Sequence, residues 1–154
     1  MIEGLMMNID LYNLEVLNKI ALFFQLFNNM SDLVYLTKVD EDRQFSYILA
    51  NEPATKFSGL TTQSFGKPLS KVLPLGVYKK IEAKYLLALT TKEPITYEDK
   101  FIVPPTLSNL AEMKYAANQV VYWESTITPV INQDGKCTHL LVVVRNITDR
   151  KEKE

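Results

Sequence analysis

Residues 139–144 read HLLVVV. In an extended strand successive side chains point to opposite faces, so Leu140, Val142 and Val144 face one way and Leu141 and Val143 the other. A strand that is apolar on both sides needs cover on both. This one stretch therefore demands a sheet with a layer above it and a layer below it.

The rest of the chain supplies candidates for those layers. Leu14, Leu17, Ile20, Ala21, Phe24 and Phe27 recur at spacings of three and four, which predicts a helix capped by Asp10 and carrying one apolar stripe. Leu11, Leu22 and Leu26 lie on another side of the same wheel, so this helix seeks two partners, one of them a second copy of the chain. The period then changes. LVYLTKV (33–39) and FSYILA (45–50) are rich in branched and aromatic residues and flank a polar DEDRQ, as two hairpin strands do. Asn51 caps a short helix with Pro53 in its first turn, and Gly59 ends it in a left-handed conformation. Glycines and prolines break 61–76 into short helical turns. A longer helix follows over 77–91, with Val77, Ile81, Tyr85 and Leu89 on one face.

Segments 95–103, 120–130 and 139–144 read as three further strands. Between the last two, Asp134 and Gly135 are expected to supply the positive backbone dihedrals of a tight turn. Residues 104–119 form a long connection, in which LSNLAEMKYAA has the pattern of a short helix. The order of helix, two strands, several helices and three strands predicts an α+β fold. Its sheet is five-stranded and mainly antiparallel, with helices on one face and the N-terminal amphipathic helix on the other.

Composition excludes several function classes. The 17 basic and 18 acidic residues nearly cancel, so no field gathers nucleic acid or anionic lipid. The apolar stretch IALFFQLF (20–27) is far shorter than the ~20 residues that span a bilayer, so no membrane insertion is expected. The N-terminus lacks the basic region of a secretory signal. A single Cys137 makes no internal disulfide, and one Cys with one His makes no zinc site. A cytoplasmic protein is expected, and the sequon at Asn146 is then silent. His139 has no partner spaced as in a nucleophile motif, so the chain is read as a non-enzyme.

Two stretches resemble a known family. NEPATKFSGLTTQSFGKPLSKVLP (51–74) is similar to the helical segment of Per-Arnt-Sim (PAS) sensory domains. VVYWESTITPVINQDGKCTHLLVVVRNITDRKEKE (120–154) resembles that family's last two strands and its exit signature, whose usual form is Asp-Ile-Thr followed by an acid or base and Arg-Lys. The likeness spans about residues 32–154. Thr148 and Arg150 match the signature, whereas its usual Asp is Asn146 here, which hydrogen-bonds but forms no full ion pair.

The resemblance implies a division into an N-terminal dimerisation helix (1–30), a PAS-like domain (31–149) and the start of a linker (150–154). The two-sided N-terminal helix, an extension outside the likeness, predicts a homodimer held by Leu17, Ile20, Phe24 and Phe27, and the resemblance implies signal transmission through Asn146, Thr148 and Arg150 to a C-terminal output domain of the histidine kinase (two-component) or diguanylate cyclase type. It places a small-molecule ligand between the sheet and the long helix, near Tyr85, Tyr97, Asp99, Phe101 and Trp123. A carboxylate at Asp99, on the strand face of Ile95, Tyr97 and Phe101, must be paired, solvated or used; a locally open face there is the plainer reading, and the aromatics fit a core equally well. The long helix lacks the histidine of haem-binding members, which argues against haem. Cys137 lies outside the helical segment that carries the reactive cysteine of photoactive members, which argues against covalent flavin and leaves noncovalent flavin open. The competing classes are a ligand-free dimerisation or protein-interaction module and a small enzyme using Asp99 or His139.

Overall fold

The computed structural model describes residues 2–102 and 118–154. The element order is α1 (Ile2–Asn29), β1 (Leu33–Val39), β2 (Phe45–Ala50), α2 (Glu52–Ser58), two 3-10 turns at Thr62–Ser64 and Leu69–Lys71, α3 (Leu75–Thr91), β3 (Ile95–Ile102), β4 (Val120–Ile131), β5 (Cys137–Asn146) and α4 (Thr148–Glu152). The strands form one sheet in the order β2-β1-β5-β4-β3, with every neighbouring pair antiparallel. The α+β class and the five-stranded sheet match the expectation. The helix suggested within 104–119 falls largely outside the described residues.

Local chemistry explains most element ends. The Asn51 side chain accepts hydrogen bonds from the amides of Ala54 and Val34, both at 3.1 Å, and donates to the Asp32 carbonyl at 2.9 Å. One fully buried amide thus caps α2 and ties it to the start of β1. Gly59 follows α2 with φ 64°, a conformation that glycine adopts at little cost. The two hairpins share one construction. Asp40 Oδ1 accepts from the amides of Asp42 and Gln44, and Asn132 Oδ1 accepts from those of Asp134 and Lys136. Each turn needs a single left-handed residue, Arg43 in one and Gly135 in the other. Asp134, expected to share that role, does not, because the Asn132 side chain already folds the turn.

β5 lies at the centre of the sheet, between β1 and β4. Leu140 and Val142 on its inner face are buried with Ile127, Tyr85 and Ala88 in the main core, beneath α2 and α3. α3 begins two residues earlier than expected, at Leu75 directly after Pro74, and Val77 is left exposed. Its buried stripe therefore runs through Ile81, Tyr85 and Ala88.

The second layer differs from the expectation. α1 starts at Ile2, and Asp10 is an exposed interior position, because MIEGLMM is itself rich in helix formers. Nor does α1 lie over the outer face of its own sheet: its main contact is with α2, where Asn28 Oδ1 accepts from the Glu52 amide at 2.9 Å. That bond aims the helix away past the start of β1. Its apolar residues stay exposed, Leu17 at 61% and Leu26 at 62%, while Phe23 stacks on Phe27 and Phe24 meets both edge-on, with centroids 5.5 to 6.3 Å apart. The outer sheet face is correspondingly open, with Leu141 37% exposed.

Because Asn51 serves three partners at once, Asn51→Ala removes a cap and strands the buried Val34 amide. A loss of about 3 kcal/mol is expected in urea titration, against about 1 kcal/mol for Gly59→Ala, whose added Cβ meets nothing within 4 Å but whose φ is unfavourable.

Candidate functional site: an aromatic interior and an exit junction

Inward-facing positions of β1, β2 and β3 bring tyrosines together beneath α3. The rings of Tyr35 and Tyr47 stack at 5.1 Å, and Phe45 meets Tyr85 edge-on at 5.3 Å. The Tyr35 hydroxyl bonds Ser58 Oγ at 2.6 Å. Tyr47 lies close enough to Tyr85, Tyr35 and Tyr97 for an ionised phenol there to be disfavoured by each. Burial, the main cause, pushes Tyr35 up to about 12 and raises Tyr47 and Tyr85 above the ordinary phenol range. All three are therefore neutral hydroxyls at physiological pH. The Thr37 hydroxyl faces Tyr85 and eases the upward push on it, yet Thr37 Oγ1 makes no hydrogen bond of good geometry.

A second ring group sits under α2. Phe57 contacts Trp123 at 5.1 Å and Phe101 at 6.4 Å, and the buried Trp123 Nε1 has no hydrogen-bond partner among the described residues. Of the residues named from the resemblance, Tyr85 and Trp123 are buried, and Tyr97 and Phe101 are partly buried on the same side of the sheet. Lys84 Nζ lies 4.7 Å from the centre of the Tyr97 ring. Asp99 is exposed and reaches this interior only through its charge on Tyr97. Tyr35, Tyr47 and Phe57 were not singled out from the sequence; the alternation in LVYLTKV and FSYILA was the available signal. Such a lining offers a neutral molecule ring faces and hydroxyls. His139 Nδ1 lies 2.9 Å from Thr138 Oγ1, beside Lys38 and Val130 in the register. Cys137, buried at the start of β5, borders a cleft of about 360 Å3 between the hairpin tips and the end of α3.

The exit junction is built at the far end of β5. Thr148 donates its hydroxyl to Asn146 Oδ1 at 2.6 Å and its amide to the same oxygen at 3.0 Å. Thr148 Oγ1 also accepts from the Tyr122 amide at 3.0 Å, and the Ile147 amide donates to the Tyr122 carbonyl at 2.9 Å. Ile147 and Thr148 are buried. An asparagine suffices at 146 because its task here is to accept from Thr148. The ion pairs fall elsewhere: Arg150 reaches Glu98 at 3.0 Å and Glu124 at 3.6 Å, and Lys151 reaches Glu98 at 2.8 Å. The first residues of the segment expected as the start of a helical linker thus belong to a five-residue helix, Thr148–Glu152, paired with its own sheet.

A family model described as the PAS fold matches residues 27–152. The chain belongs to the PAS-fold family. Solved PAS structures agree in fold: the PAS domain of a Colwellia psychrerythraea protein (17% identity, 88% of this chain and 99% of that one, TM-score 0.54) and that of Bordetella pertussis BvgS (13%, 88% and 91%, 0.58). A sensory box sensor histidine kinase from Vibrio cholerae is similar over 89% of this chain and 98% of that one (16%, 0.50). No curated protein matches. PAS domains are sensory modules of histidine kinases and similar signalling proteins, generally sensory rather than catalytic. Among the described residues no helix is long and apolar enough to cross a membrane, and no group of three or more His, Cys, Asp or Glu is arranged to hold a metal ion.

Two outcomes test this PAS junction. Thr148→Val leaves the Tyr122 amide unpaired in a buried place, and a loss of about 2 kcal/mol is expected in urea titration. The pH dependence follows from the ion pairs. The Lys151 hydrogen bond, with the charges of Lys151 and Arg150, holds the Glu98 carboxyl below its usual range, and Glu98, with Glu154, raises Lys151. Glu98 therefore contributes fully above its ordinary value and loses that contribution as pH falls through the lowered one; Lys151 contributes below its ordinary value and loses it as pH rises through the raised one. Amide exchange corrected for intrinsic pH effects should show α4 protection flat around neutrality and falling at the acid end; steady protection down to pH 2 would contradict the pairing.

Proposed function

We propose that this chain is a cytoplasmic sensory input module, without catalytic activity of its own, that works as a homodimer and passes a conformational bias from its interior to a C-terminal output domain. The position of β5 carries this reading. Its inner face borders the phenol group, since Val142 is the register partner of Tyr35, and its last residue, Asn146, begins the exit junction. A change in packing inside the domain therefore acts directly on the strand that leads out.

The ligand this interior suits is a small neutral molecule with a ring face and a hydrogen-bonding group. Tyr85, Tyr97, Phe101 and Trp123 would contact it, and Asp99 would stand at its solvent side. A charged ligand would be stripped of water without a counter-charge among those phenols and rings. An output unit of the histidine kinase or diguanylate cyclase type fits the family. The alternative, a ligand-free dimerisation module, is favoured by one observation: the described rings already contact one another, stacked or edge-on. Denaturing the purified chain and analysing what it releases by mass spectrometry separates the two. A stoichiometric small molecule supports the sensor, and its absence, together with no thermal shift across a library of neutral aromatic compounds, supports the module.

Dimerisation rests on α1. Ten of its large apolar side chains are exposed, Leu17, Ile20 and Phe24 among them, while Phe27 is half-buried at its base. A second copy covers that surface and, with it, the bare outer face around Leu141. Light scattering at tens of micromolar should give a dimer for the intact chain and a monomer for Leu17→Glu/Phe24→Glu. A monomeric intact chain, or a dimer that survives removal of residues 1–28, would remove this assignment.

A further inference from the structure

Glu98 and Glu124 are direct partners in the β3–β4 register, and both point to the outer face of the sheet. Like charges directly opposite on a sheet repel. The cation that the β4–β5 register places beside Glu124 is Arg145, but Arg145 pairs with Asp32 at 3.7 Å. The counter-charges come from α4. Arg150 Nη2 stands between the two carboxylates, 3.0 Å from Glu98 Oε1 and 3.6 Å from Glu124 Oε2, and Lys151 Nζ takes the other Glu98 oxygen at 2.8 Å. α4 has five residues, far below the length at which a helix holds its shape alone in water. Its helical state depends on where it is seated.

We infer that the Glu98–Glu124 pair is an electrostatic seat for α4, and that leaving this seat is the step by which the junction switches. The junction has two parts of different physical kind. The Asn146, Thr148 and Tyr122 contacts are neutral hydrogen bonds, part-buried around the buried Thr148, so salt acts on them little. The Arg150 and Lys151 contacts are partly exposed, so screening and competing charge weaken them. The first part acts as a pin that stays closed. The second opens about it, freeing residues 149–154 while the carboxylates are left to repel each other. That the opening carries a signal rests on the sensory reading above; the seat itself rests on the distances.

Amide exchange on the intact chain tests the seat at two positions. The Lys151 amide, which donates to the Ile147 carbonyl within α4, reports the seated helix. The Ile147 amide, which donates to Tyr122, reports the pin. At low salt, Glu98→Gln should speed Lys151 exchange roughly fivefold, the scale of a small network of exposed pairs, and leave Ile147 within twofold. Unsubstituted protein at ~1 M salt, where the Debye length falls to ~3 Å, should behave like the variant. Lys153→Gln, outside the seat, should match the unsubstituted chain. Equal Lys151 exchange in Glu98→Gln and the unsubstituted chain, insensitivity to salt, or an equal response in Lys153→Gln would each overturn the seat. An output unit fused after residue 154 separates the two claims. If exchange shifts as stated and the output ignores Glu98→Gln, the seat holds and the transmission reading falls.

Discussion

β5 is hydrogen-bonded along both edges, to β1 on one side and β4 on the other. Those two ladders hold the sheet together, because β2 joins only through β1 and β3 only through β4. The strand's inner residues, Leu140 at 0% exposure and Val142 at 4%, lock it to the helical layer. A strand so placed is hard to move alone; it moves with its neighbours. Since it also ends at Asn146, the core and the exit share one rigid element, and this economy underlies the functional reading.

The junction beyond β5 divides its work between two kinds of interaction. Hydrogen bonds among Asn146, Thr148 and the Tyr122 backbone are part-buried around the buried Thr148, so leaving one unmade costs a partly desolvated polar group. The Arg150 and Lys151 pairs lie where water competes, so each contributes little and is readily exchanged. A hinge needs both: a point that does not slip and a contact that yields. The replacement of the family's usual acid by Asn146 is consistent with this division, because the charge task is carried by Glu98 and Glu124.

The outer layer follows a different logic. α1 carries more apolar surface than its contact with α2 uses, and the sheet face beside it is open at Leu141. These are two exposed apolar surfaces of similar character on one molecule.

The sequence by itself determined the order of the described elements and the ends of β1, β2 and α2. β1 and β2 fall at the expected residues, and Asn51 and Gly59 cap α2 as read, because caps, turns and hydrophobic period depend on groups within about four residues of one another. It also determined that β5 is apolar on both faces and that the chain is α+β. Only the tertiary structure decided where α1 lies, since it meets α2 through contacts such as the bond from the Glu52 amide to Asn28, 24 residues away. Only it gathered Tyr35, Tyr47, Tyr85 and Tyr97 from four elements, and brought Arg150 to Glu98 across 52 residues of chain. Those contacts arise from how layers stack, and a pattern of neighbours along the chain carries no record of which distant side chain will stand opposite.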